Sequence, residues 1–154
     1  MRETISFVVN GEHYSKNIDV RLSLLELLRE EGLTSVKHGC GVGECGACTV
    51  LIDNTPIDSC MYLAVWVDGK TIRTVEGEIK DGKISQVQQS YIDAGAVQCG
   101  YCTPGFIMTS TAFVEKHKGQ NVDRDEIRKE HAGNLCRCTG YETIICAVES
   151  CLKD

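Results

Sequence analysis

The chain has 154 residues, 42% apolar and 25% charged, the balance of a globular protein of one ordinary domain or two small ones. A formal charge of -6 with no run of Lys or Arg argues against nucleic acid or anionic membrane as the main partner. The longest apolar run, Met61 to Val67, is too short to cross a bilayer, and "ISFVV" is too short for a signal-peptide core, so the expected compartment is the cytoplasm. In that reducing setting, ten cysteines point to metal binding or redox chemistry rather than disulfides.

Alternating Ile5, Phe7 and Val9, then Asn10-Gly11 and a second stretch through Ile18, predict a β-hairpin. Ser23 with Glu26 forms a capping-box pattern before "LLELLRE", and Gly32 closes it, so a helix is expected over roughly residues 23 to 31. Next, "HGCGVGECGACTV" starts at His38 and spaces Gly41, Gly43 and Gly46 as G-x-G-x-x-G, the dinucleotide fingerprint. That fingerprint needs a strand before the loop and a helix beginning within it, because the helix N-terminus binds the pyrophosphate. Here the helix comes first and the β-prone "TVLI" comes after, so the dinucleotide reading is rejected.

The cysteines account for the loop better. Cys40, Cys45 and Cys48 follow the plant-type [2Fe-2S] spacing C-x4-C-x2-C, with Cys60 available as fourth ligand. A loop wrapped round an anionic cluster must aim backbone N–H groups at its sulfurs, which calls for glycine conformations and no intervening side chains. "CTVLID" and "TIRTV" read as further strands, and "MYLAVWV" fits a buried strand better than a docking surface. The first half is therefore a small sheet with one helix.

Residues 76 to 83 are polar and glycine-punctuated, and beyond them the apolar period changes from two toward 3.6. The expected organisation is a domain over 1–76, a linker over 77–83 and a four-helix domain over 84–154. Ile84, Val87 and Tyr91 share one helical face; Phe106, Ile107, Phe113 and Val114 mark a helix from Pro104. A third helix is expected from Asp123 with Glu126, and a fourth after Thr139 with Glu142. At about 75 residues each, such halves have marginal cores that a metal commonly supplements.

A second cysteine set, Cys99 and Cys102 with Cys136 and Cys138, lies in the helical half. Cys102 precedes Thr103-Pro104 and Cys138 precedes the Thr139 pattern, so both pairs are expected at helix N-termini, whose dipoles suit an anionic cluster held by four thiolates. Spacing alone leaves structural zinc open for this set. A thioredoxin-like pair would follow a strand, and none is evident. His13, His38, His117 and His131 have no mutual ligand spacing and read as surface or supporting residues, while Cys146 and Cys151 read as small buried residues of the last helix.

With both sets in view, "KHGCGVGECGACTVLID", "DSCMYLA", "GAVQCGYCTPGFIM" and "GNLCRCTGY" resemble the small iron-sulfur subunit of the molybdenum hydroxylases, the xanthine dehydrogenase and aldehyde oxidoreductase family. The similarity runs over nearly the whole chain and is greatest to the three-subunit bacterial xanthine dehydrogenases. It implies an α+β fold, a β-grasp, plant-ferredoxin-like domain followed by the four-helix domain, with one [2Fe-2S] cluster in each. It implies Cys99, Cys102, Cys136 and Cys138 as ligands of the second cluster, and Gln98 and Cys138 as contacts to molybdopterin. The implied partners are a molybdopterin-binding large subunit and an FAD-binding medium subunit. The implied function is one-electron transfer from molybdenum through two clusters to FAD, in purine hydroxylation, with no catalytic residue on this chain. A free two-cluster ferredoxin-like carrier and a zinc-stapled interaction module are the alternatives from other classes.

Overall fold

The alternation in the first nine residues places Ile5, Phe7 and Val9 on one buried face, and Asn10 and Gly11 both adopt left-handed backbone, as the tight turn requires. In this computed structural model, which describes residues 1–153, β1 (Arg2–Val9) and β2 (Glu12–Asp19) form the antiparallel hairpin. Helix α1 (Leu24–Glu30) starts at Ser23, whose side chain accepts from Glu26 N–H while the Glu26 carboxylate takes the Ser23 N–H. The apolar stripe of α1, Leu24, Leu25, Leu27 and Leu28, is buried against the hairpin face.

Strands β3 (Thr49–Ile52), β4 (Thr55–Asp58) and β5 (Thr71–Arg73) complete a mixed sheet in the order β2-β1-β5-β3-β4, with β1 and β5 parallel. The stretch Met61 to Val67 departs from the expected buried strand. It forms short 3-10 turns, with Ala64 and Val67 buried but Met61 and Trp66 exposed. Backbone bonds to the approach to α1 hold it in place: Leu24 N–H donates to Tyr62 O and Ala64 N–H to Leu22 O.

The later elements are α2 (Gln86–Asp93), α3 (Thr103–His117), α4 (Arg124–Glu130) and α5 (Glu142–Lys153). Tyr91, Phe106, Phe113, Ile127, Ile144 and Val148 form a core separate from that of the sheet. Ile84 lies ahead of α2 and is exposed rather than on its buried face with Val87 and Tyr91. Asp123 caps α4 as its spacing predicts, accepting from Glu126 N–H. Two expected caps differ. Helix α3 includes Thr103, so Cys102 itself is its N-cap residue. The Thr139 hydroxyl accepts from Tyr141 N–H, two residues on, and α5 begins only at Glu142.

One packing contact positions everything that follows. Helix α3 lies on β3, all four of whose residues are buried, so the segment after Cys48 and the helix after Cys102 are neighbours. Among the described residues no helix is long and apolar enough to cross a membrane.

Candidate metal centres

Among the described residues no disulfide joins any of the ten cysteines. The loop between α1 and β3 brings Cys40, Cys45 and Cys48 together with Cys60 of the 3-10 turn after β4, and backbone amides point at their sulfurs. Val42 and Glu44 N–H donate to Cys40 Sγ at 3.4 and 3.2 Å, and Cys40 N–H donates to Cys45 Sγ at 3.4 Å. Gly43 N–H donates to Cys60 Sγ at 3.3 Å, and Cys60 N–H donates to Cys48 Sγ at 3.5 Å. This geometry follows from left-handed backbone at Gly41, Gly43 and Gly46, so the fingerprint spacing serves sulfur rather than phosphate.

The titration of these thiols carries the same message. The Val42 and Glu44 amides draw the Cys40 thiol down to about 7, while burial, then its bond with Cys48, push Cys60 up to about 12. Thiols this close do not all ionise alone; bound metal cations are what would let them do so.

The second set is built from two segments. Cys99 and Cys102 lie on the turn into α3, and Cys136 and Cys138 follow α4. Cys99, Cys102, Cys136 and Cys138, with Gln98, line a cavity of about 220 Å³ that also touches Cys45 of the first set. Cys138 and Thr139 N–H donate to Cys136 Sγ, both at 3.4 Å, and the Thr139 hydroxyl lies 3.1 Å from it. Burial works against ionisation of Cys136, but these bonds outweigh it and its thiol titrates below the ordinary value. Burial, followed by the Cys136 bond, pushes Cys102 up to about 12. Cys99 and Cys138 are exposed, so this site opens at the surface, where Gln98 Nε2 donates to Cys138 O at 3.1 Å.

Among the described residues no three of His, Cys, Asp and Glu converge as a single-ion site would require. The fit to iron-sulfur groups rests on the sulfur-only donor sets, the amides aimed at them and, at the first set, a glycine where a side chain would collide with sulfur. A Cβ at Gly39 would stand 2.6 Å from Cys45 Sγ.

The structure also shows residues that sequence spacing did not single out. Tyr101, inside the Cys99–Cys102 turn, donates its hydroxyl to His38 O at 2.6 Å. Leu135 N–H donates to Cys45 O at 2.9 Å, one residue before Cys136. The phenol between two cysteines was a visible signal; an amide of an ordinary Leu was not. His13 and His38 are exposed as expected, but His117 and His131 are buried in the helical core. Cys151 is buried, whereas Cys146 is half-buried beside Arg124, 3.6 Å from its guanidinium.

The sheet half matches the "2Fe-2S iron-sulfur cluster binding domain" over residues 7–74, and the rest matches the "[2Fe-2S] binding domain" over residues 74–149. Fold and sites together thus define a protein with two [2Fe-2S] binding domains, the first of ferredoxin type, and zinc is set aside for the second. The chain is 57% identical to a xanthine dehydrogenase iron-sulfur-binding subunit of Escherichia coli O157:H7, covering 97% of this chain and 94% of that one. It is 51% identical to a nicotinate dehydrogenase small FeS subunit of Eubacterium barkeri, covering 94% and 92%. A chain in the crystal structure of quinoline 2-oxidoreductase from Pseudomonas putida 86 superposes with a TM-score of 0.88 at 41% identity, covering 99% of this chain and 97% of that chain. The chain belongs to the iron-sulfur subunits of the molybdenum hydroxylase family, oxidoreductases whose substrate chemistry lies on a partner subunit.

Proposed function

We propose that this chain conducts electrons one at a time from a molybdopterin subunit to an FAD subunit, with purine (xanthine or hypoxanthine) hydroxylation as the activity of the complex. Cys40, Cys45, Cys48 and Cys60 would hold one [2Fe-2S] cluster; Cys99, Cys102, Cys136 and Cys138 would hold the other. The bound clusters supply one-electron storage. The observation that carries the reading is the Leu135 N–H bond to Cys45 O, because it joins a ligand of one set to the residue beside a ligand of the other. A continuous backbone bridge therefore links the two sites.

The amides also favour a direction. Hydrogen bonds to sulfur stabilise the more negative, reduced state. At the first site Cys40, Val42, Gly43, Glu44 and Cys60 donate N–H groups; at the second, Cys138 and Thr139 do. The richer donor set favours electrons resting at the first site, which gives the order second, then first, then flavin.

Gln98 and Cys138 would meet the pterin at the exposed mouth of the second site. The bond to Cys138 O uses the Gln98 amide nitrogen, and its carboxamide oxygen would be the acceptor offered to the pterin. The preference for purines is supported by the name of the Escherichia coli relative. We take the units as a β-grasp domain over 1–76 and a four-helix domain over 84–154, joined by 77–83, in a cytoplasmic complex with large molybdopterin and medium FAD subunits.

Electron paramagnetic resonance of the co-purified complex, starting oxidised and reduced anaerobically with either dithionite or xanthine, tests this reading. Two signals near one spin each, with about four irons per chain, both raised by added xanthine, are expected. Iron at one site only, or signals that no hydroxylase substrate raises, would overturn it.

A further inference from the structure

The two cysteine sets touch through a short segment of loop, Cys45 to Ala47, seated between Gly105 of α3 and residues 133–135. A Cβ at Gly105 would overlap Gly46 O, and one at Gly46 would stand 2.6 Å from Gly133 O. Backbone meets backbone on both sides. Where the chain approaches itself this closely, a small sideways slip would break the Leu135–Cys45 bond, so something must fix the alignment.

We propose that Asn134 is the positioning residue that fixes Cys45 against Cys136, and so sets the separation and orientation of the two sites. The proposal rests on the reading that each set holds a cluster. Asn134 is 5% exposed, and both ends of its carboxamide are engaged. Its Oδ1 accepts from Thr109 Oγ1 at 2.8 Å, and its Nδ2 donates to Gly46 O at 3.0 Å and Thr49 Oγ1 at 3.3 Å. A flipped amide would set Oδ1 against the Gly46 carbonyl, two acceptors face to face, so a single orientation is allowed.

The side chain thus spans three elements: α3 through Thr109, the start of β3 through Thr49, and the cysteine loop through Gly46. Its own N–H donates to His131 O, and the next amide in the chain is the Leu135 N–H that reaches Cys45 O. One buried carboxamide therefore sets the register in which the bridging amide is presented. Asn134 touches neither set of sulfurs; it acts through Gly46 and Leu135.

The test uses the full chain in its purified complex. Asn134→Leu keeps the size and removes every side-chain bond, while Thr109→Val removes only the donor that orients the carboxamide. Two readouts are taken: the splitting caused by magnetic interaction between the two reduced clusters, and hydrogen exchange at the Leu135 amide. Asn134→Leu is expected to keep the iron and both single-cluster signals, lose or weaken the splitting, and speed Leu135 exchange about tenfold, the factor of a lost buried hydrogen bond. Thr109→Val should shift both in the same direction by less. Wild-type splitting and Leu135 protection in Asn134→Leu would overturn the proposal. If that variant loses iron or fails to fold, wild-type values in Thr109→Val would overturn it instead. If the wild-type protein lacks two clusters, the electron-transfer reading fails separately, and Leu135 exchange alone decides the role of Asn134.

Discussion

Gly39 leaves no space for even a methyl group beside Cys45 Sγ. Gly39→Ala is therefore expected to cost the first site its iron while the second keeps its own, which iron analysis and the two resonance signals would show; wild-type iron in both would contradict the fit. The two cysteine groupings were legible in the sequence because residue type and spacing are local. Gln98 and Tyr101 sit within the same turns as their cysteines. Asn134, Leu135 and Gly105 were not legible, since what they do depends on a carboxamide, an amide and a missing Cβ meeting a loop more than fifty positions away, and such contacts have no local period. The buried histidines were missed for a related reason. His117 Nδ1 binds Phe113 O and His131 Nδ1 binds Ile127 O, each four residues back, so a polar ring is satisfied by its own helical segment in an apolar core.

Helix ends and core faces were read well where the signal is local, as at Ser23 in α1 and Asp123 in α4. They failed where a site takes the same residue. Thr139 serves Cys136 and the Tyr141 turn rather than α5, and Tyr141 is left-handed, so the chain enters α5 late. Between α2, α3 and α4 runs a buried polar line. Ile127 O is only an acceptor, so His131 Nδ1 carries the proton and Nε2 accepts from Ser110, which in turn accepts from Tyr91. Burial holds His131 below the ordinary 6.5, against the opposing pull of Ile127 O and Glu130. The unfolded chain then binds a proton the folded chain refuses, so this contribution is complete above about 6.5 and declines as pH falls below it. Thermal melts at about pH 7 and about pH 5 should show a smaller acid loss for His131→Gln than for wild type; equal losses would assign the acid sensitivity elsewhere.

Across the whole molecule the ties between the sheet and the helices include the Gly46 contact, the Tyr101–His38 bond and an ion network. Arg73 of β5 binds Glu78 at 2.9 Å and Glu115 of α3 at 2.9 Å, and the Glu78 side chain is only 5% exposed. Arg73→Met would strand that carboxylate and should cost about 3 kcal/mol, read as a lower urea midpoint at unchanged slope. Adding Glu78→Gln should recover most of the loss, and a single variant as stable as wild type would show the network to be idle. The chain between these ties makes a different kind of connection. Ile79 to Ile84 are all exposed, with a turn at Asp81 and Gly82 closed by paired backbone bonds between Lys80 and Lys83. A protease that cuts after either lysine would leave two polypeptides and one particle: the halves would still migrate together, and only denaturant would show that the thread between them had been severed.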